Sequence, residues 1–358
     1  MKRAHKIRIY PNNVQATMLS KHCGVARLAY NACLAKWNDD YEKNNLVSAL
    51  RLPIAHNYYS IKKWFNSIKK EQYPFVYEVS KWAAEAAIAD LAGAFKKFFL
   101  KQNERPRFHK KGIKDSFRID GSVVKVEDKI LFLPKGLKIR MAEALRFEAT
   151  KIYNVTISKT AGRWFVSVQC EVAERENQAQ GEVGIDLGVK DLAVLSDGTK
   201  YENPRTERKW RRKIARSQRS LHSKRKGSNN RRKAQQELAT VYWKAANARK
   251  DYTHKMTSDV TNKYAVICLE DLNVKGMLAN HNLARAVSDA ALAEIRRQFE
   301  YKARETRYVG RFEATTKPCC VCGKVHDMPL GKRVMDCECG NRMCRDVNAA
   351  INILNLAV

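Results

Sequence analysis

The chain has 358 residues, of which 44% are hydrophobic and 29% charged, a composition typical of a globular protein with room for two or three domains. Its 68 Lys+Arg against 37 Asp+Glu give a formal net charge of +31, which favours nucleic acid as a partner. There is no run of 18 apolar residues, which excludes a membrane-spanning helix, and no secretory signal core. We therefore expect a cytoplasmic protein without a membrane partner.

The first half of the chain alternates between strand and helix patterns. Residues 3–10 alternate loosely in polarity and predict a first strand. Helical spacing of apolar residues predicts a helix from Asn13 to about Lys43, and the alanine-rich stretch 77–102 predicts a second. After a basic loop at 103–112, alternating stretches between 116 and 172 predict antiparallel strands. The order indicates a small β-barrel interrupted by a helical insertion.

The second half begins after a polar, glycine-containing stretch at 174–182, which is typical of a linker. Two strands are predicted next, in "VGIDLG" and "DLAVLSD". Residues 205–250, here called the basic tract, hold 17 Lys/Arg against two acids, and "KGSNN" divides them into two helices. A buried strand is predicted at 264–274, an amphipathic helix at 288–309 and a closing helix at 345–357.

Three acids interrupt otherwise apolar elements: Asp186, Glu270 and Asp346. Each has a structural explanation when taken alone, as the partner of a lysine, as a loop cap, or as a carboxylate favoured at a helix N-terminus. Together, in a strongly basic chain, they favour a site for two Mg²⁺ ions. Phosphodiester hydrolysis by two divalent ions requires hard oxygen ligands from several parts of a chain.

Six of the ten cysteines crowd into 26 residues: Cys319, Cys320, Cys322, Cys337, Cys339 and Cys344. The CxxCG and CxCG pairs, 14 residues apart, predict one structural zinc ion held by Cys319, Cys322, Cys337 and Cys339. Because the second pair is one residue shorter than usual, Cys344 could replace Cys337 or Cys339. Cys320 and His326 are further alternatives.

Two basic regions are candidates for nucleic-acid contact. The basic tract is one, and the alternatives for it are solvent-exposed helix faces or a nonspecific arm. The other is "RPRFHKK", where Arg105, Arg107, Lys110 and Lys111 surround Phe108; its alternative is an exposed loop. The sequence contains no Walker A motif, no GxGxxG and no Ser-His-Asp arrangement, so these chemistries are not predicted.

Taken in order, the motifs resemble the TnpB family, the RNA-guided nucleases of bacterial insertion sequences and relatives of type V CRISPR effectors. The matching stretches are "KIRIYPNNVQATML", "ARLAYNACLA", "RPRFHKK", "GIDLGVKDLAVLSDG", "LEDLNVKGM", "SDAALAEIRRQFEYKA", the cysteine pairs and "RDVNAAINI". The last five of these stretches, taken together, are specific to this family. The resemblance runs nearly from end to end.

The resemblance implies a mixed α/β multidomain fold with an RNase H-like (RuvC) nuclease core and an inserted zinc ribbon. Asp186, Glu270 and Asp346 match the family's three catalytic acids. The implied layout is a β-barrel wedge domain (1–12 and 113–178), a helical recognition domain (13–112), a RuvC-like nuclease domain (179–312 and 342–358) and a zinc ribbon (313–341).

The resemblance also implies a function, an Mg²⁺-dependent DNA endonuclease. Its guide RNA would derive from the transposon end, and it would cleave double-stranded target DNA beside a short motif. Two alternatives are an RNA-guided DNA-binding regulator that does not cut and a DNA transposase. One departure from the family is Cys344, since many relatives have an acid two residues before the third catalytic aspartate.

Overall fold

The computed structural model describes residues 2–46, 57–173, 178–329 and 331–357. The chain divides into two compact units, Met1–Glu174 and Arg175–Val358. Part of the predicted linker, residues 174–177, lies outside the described residues. Among the residues described, no helix has the length and apolarity that crossing a membrane requires.

An antiparallel sheet forms the base of the first unit. Its strands are β1 (Lys2–Tyr10), β2 (Ser116–Asp120), β3 (Lys125–Glu127), β4 (Ile130–Leu133), β5 (Leu137–Met141), β6 (Lys151–Thr160) and β7 (Arg163–Glu171). The order is β2-β6-β7-β1-β5-β4-β3. β1 therefore lies in the middle of the sheet, although the helices separate it from the other strands in the chain. Its alternate residues His5, Ile7 and Ile9 are buried, as the period of a half-buried strand requires.

The helices of the first unit are α1 (Asn13–Leu46), α2 (Tyr58–Gln72) and α3 (Lys81–Phe99). Their shared core includes Trp37 and Phe95, whose rings stack with centroids 4.1 Å apart. The predicted start of the second long helix at 77 was wrong. Pro74–Glu78 forms a 3₁₀ turn, and α3 begins after Ser80, which has extended backbone.

A mixed sheet organises the second unit. Its strands are β8 (Glu182–Asp186), β9 (Asp191–Leu195), β10 (Lys200–Glu202), β11 (Val266–Glu270) and β12 (Glu305–Val309). The order is β10-β9-β8-β11-β12. The first three strands form an antiparallel meander, and β11 runs parallel to both β8 and β12. The carboxyl ends of β8 and β11 therefore lie side by side at one edge.

Helices and a hairpin complete this unit. They are α4 (Thr206–His222), α5 (Asn229–Lys263), α6 (Val274–Ala279), α7 (Ala284–Ala290), α8 (Leu292–Lys302), β13 (Val334–Asp336), β14 (Arg342–Cys344) and α9 (Arg345–Leu356). The basic tract forms α4 and the first part of α5, with the predicted break between them.

The single helix predicted at 288–309 was wrong. α7 ends before Ala291, which has a φ of 54°, α8 ends at Lys302, and the last five residues of the predicted helix form β12. These five residues pair with the full length of β11, from Val266↔Glu305 to Glu270↔Val309. Pairing with a buried parallel strand determines their conformation, and the local polar spacing does not reveal it.

Gly184 in β8 allows α9 to lie directly against the sheet. A Cβ atom there would collide with the carbonyl oxygen of Ala350 and lie 2.7 Å from the backbone nitrogen of Leu354. Only glycine permits this approach. The contact brings the start of α9 to the carboxyl end of β8.

We predict that Gly184→Ala lowers the free energy of unfolding of the second unit by at least about 2 kcal/mol, because the added methyl group overfills this contact. Urea denaturation measures the effect. Gly331→Ala is the matched control, since nothing lies within 4 Å of the Cβ position there. Equal stability of the two variants would contradict the close packing of α9.

Candidate active site and zinc centre

Asp186 and Glu270 end two neighbouring parallel strands. Leu269 pairs with Ile185, so the two acids that follow them lie next to each other at the carboxyl edge of the sheet. Ile185 and Leu269 are fully buried, whereas both acids are half-buried. This edge is where the side chains of an open α/β sheet converge on a ligand.

Asp346 reaches the same place from α9. It lies in the first turn of that helix, where a carboxylate is favoured by the helix dipole. Its side chain is 20% exposed, and its Oδ1 lies 3.5 Å from Nε of Arg345. Close packing of α9 on β8 thus places a third carboxylate beside the first two.

The pKa of Asp186 is changed by its surroundings, which include the other two acids. Burial raises its pKa to about 7, and the negative charges of Glu270 and Asp346 add to the increase, while Arg345 opposes it. Like charges held together in a half-buried site favour either a proton or a cation. A hard divalent cation fits this donor set, because its preferred ligands are carboxylate oxygens.

An open cleft of about 1310 Å³ adjoins these acids. Asp186 and Asp346 lie in its wall, together with Arg205, Arg208 and Arg285. Glu270 is not part of the lining, and its Oε1 accepts a hydrogen bond from the Thr315 hydroxyl. The cleft is lined by both carboxylates and guanidinium groups, which suits an anionic polymer bound beside a cation.

Cys319, Cys322, Cys337 and Cys339 come together in two tight turns. Their sulfur atoms all lie within 4.8 Å of one another, and among the described residues no other group of three or more His, Cys, Asp or Glu gathers so closely. The Sγ separations include 3.7 Å for Cys319–Cys339 and 3.5 Å for Cys322–Cys337. Tetrahedral Zn–S bonds of about 2.3 Å place sulfurs about 3.8 Å apart, so the cluster fits one zinc ion.

The turns explain the short second pair. In the first turn the N–H of Gly323 bonds to the carbonyl of Cys319, and the N–H of Cys319 bonds to Lys324. The second turn has the same two hydrogen bonds but is one residue shorter. There Gly340 bonds to Cys337, and Cys337 to Asn341. Both glycines have a positive φ, 74° and 88°. The CxC spacing is therefore a tighter turn of the same design.

The group of mutually close ligand atoms does not include Cys344, Cys320 or His326. Cys344 precedes α9, 3.3 Å from Nζ of Lys200. Burial opposes ionisation of its thiol, but backbone N–H groups at Asp346 and Val347 and the lysine lower its pKa. Cys320 contacts the sulfur of Met343, and Nε2 of His326 lies 3.1 Å from Sγ of Cys337.

Comparisons with known proteins agree on one family. A family model described as "Probable transposase" matches residues 165–281, a "Helix-turn-helix domain" matches 1–45, and a "Cas12f1-like, TNB domain" matches 293–353. A Streptomyces pristinaespiralis protein named "Putative RNA-guided DNA endonuclease" is 37% identical over 99% of this chain and 89% of its own length. The chain belongs to the TnpB family.

Two further matches extend the comparison. The Escherichia coli (strain K12) protein named "Putative RNA-guided DNA endonuclease InsQ" is 31% identical over 98% of this chain and 91% of its own length. A chain in the "Cryo-EM structure of the Cas12f1-sgRNA-target DNA complex" aligns over 99% of both chains with a TM-score of 0.58 and 14% identity. This likeness shows that the TnpB-family chain shares the mixed α/β fold of that structure.

The first unit of this TnpB-family protein presents the predicted basic loop. Asn31 holds it in place, accepting from the backbone N–H of His109 (2.8 Å) and donating to its carbonyl (2.9 Å). The His109 ring stacks on Tyr30 with centroids 3.9 Å apart. Phe108 remains 54% exposed. The loop is therefore a fixed surface, and the signal for its support was the "YN" pair within "ARLAYNACLA".

The four basic side chains predicted here differ in their surroundings. Arg105 donates to Asn38 and lies over the ring of Tyr41, 5.5 Å from its centroid, so it helps to fix the loop on α1. Arg107 is paired with Glu104 on an open surface. Lys110 and Lys111 are exposed. The last three have side chains available for phosphate contact.

We predict that purified protein contains about one mole of zinc per chain, and that Cys337→Ser reduces the zinc content to near zero and lowers the unfolding temperature. Elemental analysis and thermal denaturation measure both effects. Cys344→Ser and Cys320→Ser are the matched controls and should retain zinc. Loss of zinc from Cys344→Ser equal to that from Cys337→Ser would contradict the ligand set.

A second prediction concerns Asp186→Asn in magnesium-free buffer. The unfolded pKa of aspartate is about 3.9, and the folded value is about 7. As the pH rises between these values the unfolded chain ionises first, so wild type loses stability relative to the variant. The advantage of Asp186→Asn grows from near zero at about pH 4 to about 4 kcal/mol above pH 7.

Urea denaturation across this pH range measures the difference. Asp251→Asn is the control, because this carboxylate is exposed and pairs with Lys255, one turn away. Its effect on stability should not change with pH in this way. Added Mg²⁺ should narrow the difference between wild type and Asp186→Asn. A difference that is independent of pH would refute the convergence of charge at Asp186.

Proposed function

We propose that this protein is an RNA-guided DNA endonuclease with one RuvC-like, RNase H-fold active site. The observation that carries the proposal is the meeting of Asp186, Glu270 and Asp346 from β8, β11 and α9. Burial and mutual repulsion raise the pKa of Asp186 to about 7. The chain has a net charge of +31, yet this site concentrates negative charge. A bound cation that also takes part in cleavage of the substrate would explain that concentration.

The three carboxylates would hold two Mg²⁺ ions. When bound, the ions activate a water molecule and stabilise the leaving oxygen of a phosphodiester. Arg205, Arg208 and Arg285 in the cleft wall would hold the phosphates of a DNA strand, and they would orient it across Asp186 and Asp346.

The proposed division of labour follows the domain layout given above. The sheet of 1–12 and 113–178 would form the wedge domain and the helices of 13–112 the recognition domain. Residues 179–312 and 342–358 would form the nuclease, with the zinc ribbon at 313–341 inserted. Arg107, Lys110 and Lys111, beside exposed Phe108, would contact nucleic-acid phosphates, whereas the contacts of Arg105 favour a supporting role.

A guide RNA from the transposon end and a double-stranded DNA target would be the partners. Relatives are named RNA-guided DNA endonucleases, and the structurally similar chain was solved with an sgRNA and target DNA. Base pairing with the guide would select the sequence, while basic surfaces bind the sugar–phosphate backbone. Cutting, rather than binding alone, is supported by the presence of all three acids.

The test begins with RNA sequencing. The protein is expressed with its native flanking DNA, and the RNA that copurifies is sequenced. We expect one dominant species with a constant scaffold and a variable 3′ end. Plasmids carrying the matching target next to varied flanks are then cut in the presence of Mg²⁺. A heterogeneous mixture of cellular RNA would contradict guidance.

Asp186→Ala separates cutting from binding. Removing a ligand of the ions costs several kcal/mol of charge stabilisation, so the cutting rate should fall at least about 1,000-fold with RNA and target affinity unchanged. Asp251→Ala removes the same charge from an exposed position and should cut normally. Equal cutting by Asp186→Ala and wild type would defeat the metal-site assignment.

A further inference from the structure

Thr315 lies beside the candidate active site, although none of the sequence motifs indicated it. It is 5% exposed, and its hydroxyl donates a hydrogen bond to Oε1 of Glu270. Glu270 ends β11, whereas Thr315 precedes the first zinc-ribbon cysteine by four residues. The contact therefore links the carboxylate to the segment that enters the ribbon.

Two asparagines of α9 hold that same segment. Nδ2 of Asn352 donates to the carbonyls of Thr315 and Pro318, both at 2.8 Å. Nδ2 of Asn348 donates to Pro318 at 2.7 Å, and its Oδ1 accepts from the backbone N–H of Cys320 at 2.9 Å. Asn348 is fully buried and Asn352 is 8% exposed. They lie one turn apart, on one face of the helix.

Buried amides of this kind are retained only when their hydrogen bonds are made. An apolar pair would bury α9 equally well against a generic loop. Here both asparagines bond to one short segment, and that segment carries Thr315 at one end and Cys319 at the other. The helix that carries Asp346 is thus tied to the residue that orients Glu270.

The other end of the ribbon leads to Asp346 itself. β14 ends at Cys344 and α9 begins at Arg345. The backbone N–H of Arg345 bonds to Arg333 at 2.9 Å, and its guanidinium donates to the carbonyl of Lys332 at 3.3 Å. The same guanidinium lies beside the Asp346 carboxylate. One end of the ribbon therefore contacts Glu270 through Thr315. The other end contacts Arg345, the residue next to Asp346.

We propose that the zinc ribbon is a positioning device for the metal-binding carboxylates. Thr315 fixes the orientation of Glu270, and Asn348 and Asn352 join the Thr315 segment to the helix that carries Asp346. This inference rests on the proposed function of the same site. These three are positioning residues, since none of them is a ligand. Hydrogen bonds to a ligating carboxylate set its orientation, and their loss weakens the metal site.

Thr315→Val tests the inference, because it keeps the shape of the side chain and removes the hydroxyl. The Mg²⁺ concentration for half-maximal cutting should rise about 10- to 100-fold, with target affinity unchanged and activity recovered at high Mg²⁺. Thr315→Ser restores the hydroxyl and should restore the wild-type Mg²⁺ dependence. Each variant is purified as the fraction that retains one zinc per chain.

Thr306→Val is the matched control. Its hydroxyl is buried in β12 and has no hydrogen-bond partner among the described residues, so its removal should leave the Mg²⁺ dependence unchanged. An identical Mg²⁺ dependence for Thr315→Val and Thr306→Val would overturn the proposal. So would a failure of Thr315→Ser to restore wild-type behaviour.

Mn²⁺ binding to the free protein, followed by electron paramagnetic resonance, gives a readout that does not require cutting. We expect weaker binding by Thr315→Val than by wild type and Thr306→Val. Equal binding by these three, with Asp186→Ala defective, would overturn the positioning role but keep the metal site. Equal binding by all four, including Asp186→Ala, would refute the metal site of the proposed function and the positioning role that depends on it.

Discussion

Repulsion among three carboxylates is the constraint that organises the second unit. Placing Asp186 beside Glu270 and Asp346 at one edge of a sheet opposes folding, because burial and then the two neighbouring charges raise its pKa to about 7. The surrounding structure must hold them there by other means. Parallel pairing of β8 with β11 aligns two of them, and the bare backbone of Gly184 admits the helix that carries the third. A cation bound at this edge would offset the repulsion.

The first unit holds the positive charges of its basic loop on a fixed surface. A loop rich in arginine and lysine tends to be mobile, because its charges repel each other. Here the Asn31 amide and the Tyr30 ring fix the loop through His109. Two stretches that contributed separately to the family resemblance are thus one structural feature, a platform on α1 and the loop that rests on it.

Much of the fold could be predicted because its signals are local. Periodicity revealed α1, the strands of the first sheet and the two helices of the basic tract. β12 was missed because its character depends on pairing with β11, and the break at Ala291 lacks the glycine that usually marks a left-handed residue. The acids were recognisable as polar residues within apolar elements. Thr315 was not, because its role depends on a partner 45 residues away.

The second tight turn, around Cys337 and Cys339, limits the insertions that this ribbon can accept. A comparison of spacings would regard CxCG as a defective CxxCG, and an inserted residue as a repair. The hydrogen bonds argue the reverse, since each turn closes its own ring with its own number of residues. An extra residue would open the second ring and shift the register of the β13–β14 hairpin. Because β14 runs into α9, the displacement would reach Asp346. The number of residues in the second turn therefore helps to set the position of Asp346.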